Sequence, residues 1–188
     1  MIDDFQFDHE EIEDLEPNEL GLITGLDLAI SSSYVGLEYV KLTNRTYKTE
    51  MLYESYYHRG EPIGYNMGSD LKRVNAFVRH YLSSSIRLDV TIDVIWQGEG
   101  EADIPWDAPW RFQTLEEGYS EISPTGIVEQ TSTFKASITR KWTPLRFVSG
   151  GVRYQRIVNM DHLEGRDESS WGGYLQMSWA IGIEADLE

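Results

Sequence analysis

The sequence predicts an all-β chain that forms an antiparallel up-and-down transmembrane β-barrel of about eight strands. Apolar and polar residues alternate over long stretches, every second connection between these stretches is short, and tryptophans lie near their ends. Helical periodicity has almost no support. We treat residues 1-188 as a single β-barrel segment, because this length suits one domain.

The clearest alternation is the stretch SIRLDVTIDVIWQ at residues 85-97. Its even positions, from Ile86 to Trp96, are apolar, and most of its odd positions are polar. Only a β-strand converts a period of two into two opposite faces. One face must avoid water, either in a protein core or in lipid, and the other must meet it.

The same alternation recurs and predicts eight strands. They lie at residues 1-7, 19-30, 33-43, 72-82, 85-97, 126-142, 144-160 and 169-187. The connections 31-32, 83-84 and 143 are tight, whereas 44-71 and 98-125 are long. Outer-membrane barrels have this asymmetry, with short turns on the periplasmic side and long loops outside. Soluble sandwiches distribute long connections over both ends.

The length of the strands and the position of the tryptophans favour the same interpretation. Several spans exceed the ~9–11 tilted residues that a bilayer requires. Trp96, Trp142 and Trp171 share the apolar parity and lie near strand ends, as in an interfacial girdle. Rim packing in a soluble sandwich is the alternative. In the membrane interpretation, the apolar row of 85-97 faces lipid.

Composition excludes several classes of function. The 188 residues carry 32 acidic and 16 basic side chains, and the net charge of -16 argues against binding nucleic acid. The absence of cysteine excludes disulfides and thiol chemistry. No apolar run is long enough for a transmembrane helix. The start, Met1-Ile2-Asp3-Asp4, is not a secretory signal, so we expect that the signal was removed or the N-terminus is incomplete.

Two segments suggest a family. Residues 38-47 read EYVKLTNRTY, and residues 57-65 read YHRGEPIGY and are followed by Gly68-Ser69-Asp70. They resemble the C-terminal half of the Wzi-like capsule assembly family, whose members look like EYT…N…TY and HrGeplG…GxD over the same spacing. Residues 2-6 and 17-21 are similar to the strand and loop that precede this region in the family.

The resemblance implies the C-terminal portion of a larger outer-membrane β-barrel that holds capsule or exopolysaccharide at the bacterial surface, by binding rather than by catalysis. It implies outer-membrane lipid and surface polysaccharide as partners. We expect a monomer, no nucleic-acid partner, no cofactor and no metal. One departure from barrels of this kind is the end of the chain, 184-188, which lacks their terminal aromatic residue.

The long loop 98-125 contains the segment DIPWDAPWRF. Its flat apolar faces beside polar groups suit sugar rings, and we predict polysaccharide contacts at Trp106, Trp110, Arg111 and Phe112. The alternative is that the prolines and tryptophans fold the loop onto itself as a plug or lid.

Charged residues on the polar parity of the strands are predicted to face the barrel lumen. They are Arg73, Arg79, Arg87, Asp89, Asp93, Glu129, Lys135 and Arg153, together with Glu38 and Glu184. Opposite charges on facing strands stabilise each other. We therefore expect pairs that narrow the lumen, in contrast to the like-signed wall of an open channel.

Two further interpretations stay open. In a soluble lipocalin-like or sandwich binding module, the apolar parity would face an internal core. In an outer-membrane hydrolase, His58 or His162 would serve as a base, although neither accompanies a nucleophile motif. His80 lies on the apolar parity near a tight turn and is predicted to be interfacial. The acidic run 8-16 lacks the spacing of a calcium loop, which favours a solvated loop.

Overall fold

The computed structural model describes residues 10–48, 57–58, 61–62, 64–100, 107–143 and 146–179. The predicted strand 1-7, Trp106, His9 and Glu184 lie outside these ranges. The described chain contains nine β-strands and three short 3-10 helices. The strands are β1 (Gly21–Ile30), β2 (Ser33–Leu42), β3 (Tyr57–His58), β4 (Glu61–Pro62), β5 (Leu71–Tyr81), β6 (Ile86–Gln97), β7 (Glu129–Thr143), β8 (Arg146–Val158) and β9 (Glu168–Ser178).

Seven of the strands form one antiparallel sheet in the order β1-β2-β5-β6-β7-β8-β9. Each strand pairs with the next long strand along the chain, which confirms the predicted all-β, up-and-down arrangement. The two-residue strands β3 and β4 form a separate hairpin within the loop after β2, and this hairpin was not predicted. Among the described residues β1 and β9 do not pair with each other, so the sheet is not closed into a barrel.

The strand register places the apolar residues of successive strands side by side. One row runs through Val35, Val78, Val90, Ala136 and Val152 on five consecutive strands. A slip of one residue would move every one of these side chains to the opposite side of the sheet. We call the side that carries this row the apolar face and the other side the polar face.

The buried hydrophobic cluster does not lie on the apolar face. Val40, Leu42 and Leu71 are on the polar parity at the end of the sheet where the long loops begin, and Tyr47 covers them. In contrast, large side chains on the apolar face are exposed, with Ile92 at 51% and Leu175 at 78%. The described parts of the loops therefore fold over one end of the polar face and leave the apolar face uncovered.

None of the described helices has the length and the apolar composition that a membrane crossing would require.

Candidate functional site

The long loops meet at one buried carboxylate, that of Asp70, directly before β5. Its Oδ1 accepts hydrogen bonds from the Ser123 hydroxyl at 2.8 Å and from the Thr125 backbone N–H at 3.0 Å. Its Oδ2 accepts from the Gly100 N–H at 2.9 Å and from the Thr125 hydroxyl at 2.5 Å. The carboxylate is fully buried, so it ties the chain after β6 to the chain before β7.

The backbone around Asp70 adds further links between the loops. The Asp70 N–H donates to the Thr43 carbonyl at 3.2 Å, and the Asp70 carbonyl accepts from the Gly98 N–H at 2.8 Å. Gln97 donates from its side-chain amide to the Ser69 carbonyl at 2.9 Å. A Cβ at Gly98 would lie 2.5 Å from the Thr125 backbone nitrogen, so this close approach requires glycine.

A second buried group, Arg45, lies beside Asp70 and its hydrogen-bond partners. Its Nε donates to Glu121 Oε2 at 2.9 Å, and its Nη1 donates to the Asp107 carbonyl at 3.2 Å. The guanidinium lies 4.3 Å from the centre of the Trp110 ring. The Asn44 side chain donates to the other oxygen of Glu121. We call Asn44, Arg45, Asp70, Trp110, Glu121, Ser123 and Thr125 together the loop-end cluster.

A cavity of about 260 Å³ opens next to the loop-end cluster. Its lining includes Asn18, Thr43, Asn44, Arg45, Tyr119 and Glu121. Amide, hydroxyl and carboxylate groups converge here beside one aromatic ring. This mixture of hydrogen-bonding groups and a flat apolar surface suits a ligand rich in hydroxyl groups.

The predicted polysaccharide-contact residues separate into two environments. Trp110 is only 2% exposed, because Arg45 covers one side of its ring and Tyr119 lies nearby. Arg111 and Phe112 are exposed, Phe112 at 88%. Trp106 is outside the described residues. A ligand that approaches from the loop side therefore meets Phe112 and Arg111, while Trp110 supports the loop from within.

The polar face carries nine of the ten charged residues predicted to face the lumen, and the tenth, Glu184, is outside the described residues. Arg73 donates from Nε to Asp93 at 2.7 Å and also lies 3.6 Å from Glu38. Arg79 pairs with Asp89 at 2.9 Å, and Arg87 on the same strand as Asp89 lies 2.6 Å from it. The structure therefore places a ladder of opposite charges between β5 and β6.

The charges between β7 and β8 differ from that ladder. Lys135 lies directly opposite Arg153 in the register, and among the described residues neither has a carboxylate within ion-pair distance. Both line a groove of about 310 Å³ that also includes Tyr174. Glu129 accepts a hydrogen bond from the Asp161 N–H at 2.8 Å at the loop end. The expected pairing holds for only part of the polar face.

The two histidines whose side chains are described, His80 and His162, lie in different parts of the fold. His80 lies on the apolar face, with Nδ1 2.8 Å from the Ser33 hydroxyl, and His162 Nδ1 lies 2.7 Å from the Ile127 carbonyl. The side chain of His58 is not among those that the structure describes. Within the described ranges, no three His, Asp or Glu side chains are grouped so that they could hold a metal ion.

The loop-end cluster contains Asn44 and Arg45 from the segment 38-47, and Asp70 from the sequence that follows the segment 57-65. No protein-family model, curated protein or solved structure matches the chain. Residue-level reasoning on the sequence missed Asp70 and Glu121 as site residues. A signal was available in Gly98 and Gly100, because two glycines directly after a strand indicate a close approach of backbone.

Proposed function

We propose that this chain forms part of an outer-membrane β-barrel that binds capsule or exopolysaccharide at the bacterial surface without catalysing a reaction. The observation that carries the membrane location is the uncovered apolar face, which extends across all seven strands of the sheet. Soluble monomers rarely expose an apolar surface of that extent. Lipid would cover it without any further protein layer.

The dimensions of the apolar face agree with a bilayer. The row from Ile86 to Trp96 spans ten residue steps of β6, or ~33 Å at ~3.3 Å per residue. A strand tilt of about 40° reduces this length to ~25 Å along the membrane normal, the usual height of the apolar band of an outer-membrane barrel.

Aromatic residues border the apolar face at both ends. At the loop end, Trp96 follows the last aliphatic row and Trp171 contacts Tyr154, with ring centres 4.6 Å apart. At the turn end, Trp142 lies under the guanidinium of Arg140 at 5.2 Å, and Trp179 under that of Arg146 at 5.3 Å. Amphipathic rings and basic groups at both ends match the two interfaces of a membrane.

The loop asymmetry gives the orientation. The tight turns follow β1, β5 and β7, so all of them lie at one end of the sheet, and the long loops lie at the other. In this orientation the loops, the loop-end cluster and its cavity face the outside of the cell. The cavity, Arg111 and Phe112 would then be in a position to contact the surface polysaccharide that the Wzi-like resemblance implies as a partner. The free edges of β1 and β9 would pair with further strands to close the barrel.

The test is expression of the protein with a signal peptide, followed by membrane fractionation and measurement of cell-bound and released capsule. We expect the protein in the outer-membrane fraction and more released capsule in cells that lack it. Replacing Phe112 and Arg111 together by alanine should increase release without changing the fractionation. A wholly soluble, monodisperse protein without detergent contradicts the membrane proposal. Unchanged capsule retention in cells lacking the protein contradicts the binding role.

The charge ladder on the polar face predicts low conductance. Cross-strand pairs such as Arg79–Asp89 extend side chains across the wall and neutralise its charge. We expect planar-bilayer recordings of the reconstituted full-length protein to show no large, steady open-channel currents. Currents of that kind would show that the lumen is an open pore.

A further inference from the structure

Two lysines lie side by side on the apolar face at its loop end. Lys41 of β2 is directly opposite Lys72 of β5 in the antiparallel register. Their Cβ atoms are therefore expected to be ~5 Å apart on the same side of the sheet. Like charges in this relation destabilise a sheet, so an anion bound nearby would stabilise the pair.

The described protein does not supply that anion. Among the described residues, no carboxylate lies within ion-pair distance of Lys41 or Lys72. Asp70 is close along the chain, but its carboxylate is occupied by Ser123, Thr125 and Gly100. Glu38 is on the polar face, where it meets Arg73.

The position of the pair indicates where the anion comes from. Lys72 is opposite Trp96 in the register, at the aromatic border of the apolar face. Lysine side chains at this depth lie along the apolar surface and extend their ammonium groups to the lipid headgroups. Because the loop end faces outward in the proposed orientation, these headgroups belong to the outer leaflet.

We infer that Lys41 and Lys72 together bind the phosphate of a lipid headgroup in the outer leaflet, the phosphate of a phosphorylated glycolipid. This inference rests on the proposed membrane location and orientation. A phosphate monoester carries about −1.5 to −2 charges at neutral pH, which matches two ammonium groups. Basic side chains at a membrane surface each strengthen binding to anionic headgroups.

The experiment is titration of the detergent-solubilised full chain with diphosphoryl lipid A, followed by native mass spectrometry. The double variant Lys41→Gln/Lys72→Gln should bind about 30-fold more weakly, as two lost surface cations imply. Dephosphorylated lipid A should bind the wild-type protein as weakly as diphosphoryl lipid A binds the variant. Inorganic phosphate at the same concentration should not displace the lipid.

The control is Arg156→Gln/Arg166→Gln, which removes two cations at the same end of the sheet. These arginines already pair with Asp167 at 3.3 Å and Asp161 at 2.7 Å. The control should therefore retain wild-type affinity. Equal affinity of the lysine variant and the wild type overturns the inference. An equal loss in the arginine control also overturns it, and saturation of the site by inorganic phosphate alone rejects the lipid as its ligand.

Membrane fractionation tests the proposed membrane location, and the lipid titration tests the lysine site, so the two can fail separately. If the protein does not fractionate with the outer membrane, the membrane proposal is wrong. If it does, and the lysine variant binds diphosphoryl lipid A as the wild type does, only the lipid-phosphate site is wrong.

Discussion

Replacing Asp70 by alanine is expected to lower the free energy of unfolding more than any other substitution at the loop end. The variant leaves the N–H groups of Gly100 and Thr125, whose bonds to the buried carboxylate are part-buried, without their acceptor. Each unsatisfied buried donor costs about 1–3 kcal/mol, so the loss should be about 2 kcal/mol or more and at most about 6 kcal/mol. Urea unfolding of the protein in detergent or vesicles measures it, and a loss below about 1 kcal/mol would contradict this role of the carboxylate.

A matched control separates this effect from backbone strain. Asp70 has φ of 59°, in the left-handed region, where alanine is less favourable than aspartate. Asp161 has φ of 57° and is exposed, and it pairs with Arg166 at 2.7 Å. Asp161→Ala therefore carries the same backbone cost with only a weak surface pair to lose. The difference between the two variants reports the buried hydrogen bonds of Asp70.

The variant Asp70→Asn tests whether both carboxylate oxygens of Asp70 must accept hydrogen bonds. An amide can keep its oxygen at the Oδ2 position, where the Gly100 and Thr125 donors meet. Its NH₂ group would then face the Ser123 hydroxyl, which can rotate and accept, and the Thr125 N–H, which cannot accept and keeps only its 3.1 Å bond to the Oδ2 position. We expect a loss of unfolding free energy that is smaller than the loss in the alanine variant. A loss as large as that of alanine would show that the negative charge itself is required.

The strands could be predicted because their signal is local. Apolar residues at every second position fix which face each side chain takes, and neighbouring rows such as Val78 and Val90 then fix the register. The predicted spans for β1, β2, β5 and β6 differ from the observed strands by at most two residues at either end. The closed barrel is a different matter, because closure depends on what pairs with the outer edges of β1 and β9.

The loop-end cluster could not be predicted in the same way. Its contacts join residues far apart in sequence, such as Arg45 with Glu121 and Asp70 with Thr125, and no periodicity encodes them. Trp110 shows the consequence. An aromatic residue in a polar loop suits a ligand as well as it suits a lid, and only the contact with Arg45 shows that its ring is covered.

The two faces of the sheet differ in what covers them. Among the described residues, no protein layer lies over the apolar face, whereas hydrogen-bonded loops close the loop end of the polar face. Within the described residues, the loops bury polar groups where they meet. The apolar side chains of the sheet would have to be buried by something outside the described chain, such as lipid. A charge introduced on the apolar face therefore tests whether lipid or protein covers it.

If the apolar face meets lipid, as proposed, replacing Val90 by arginine is expected to destabilise the protein by about 2–4 kcal/mol while it still folds in the membrane. Val90 lies at the middle of the apolar face, between Val78 and Ala136 in the register. In a membrane, the long arginine side chain reaches toward an interface and water follows it. In a sealed soluble core, the uncompensated charge would have no such escape, and the domain should not fold.

The control is Thr91→Arg, one residue along the same strand but on the polar face. Asp89 and Asp93 flank this position along β6, whereas Lys135 lies directly opposite it on β7. The control therefore carries a like-charge cost of roughly 0.2–1 kcal/mol, which is smaller than the cost expected at Val90. The measurement is unfolding by denaturant in vesicles for both variants, with outer-membrane fractionation as a second readout. A Val90→Arg protein as stable as the Thr91→Arg control would mean that the apolar face does not meet lipid at this depth. A variant that cannot be folded in lipid, beside a stable control, would favour a soluble core behind this face instead.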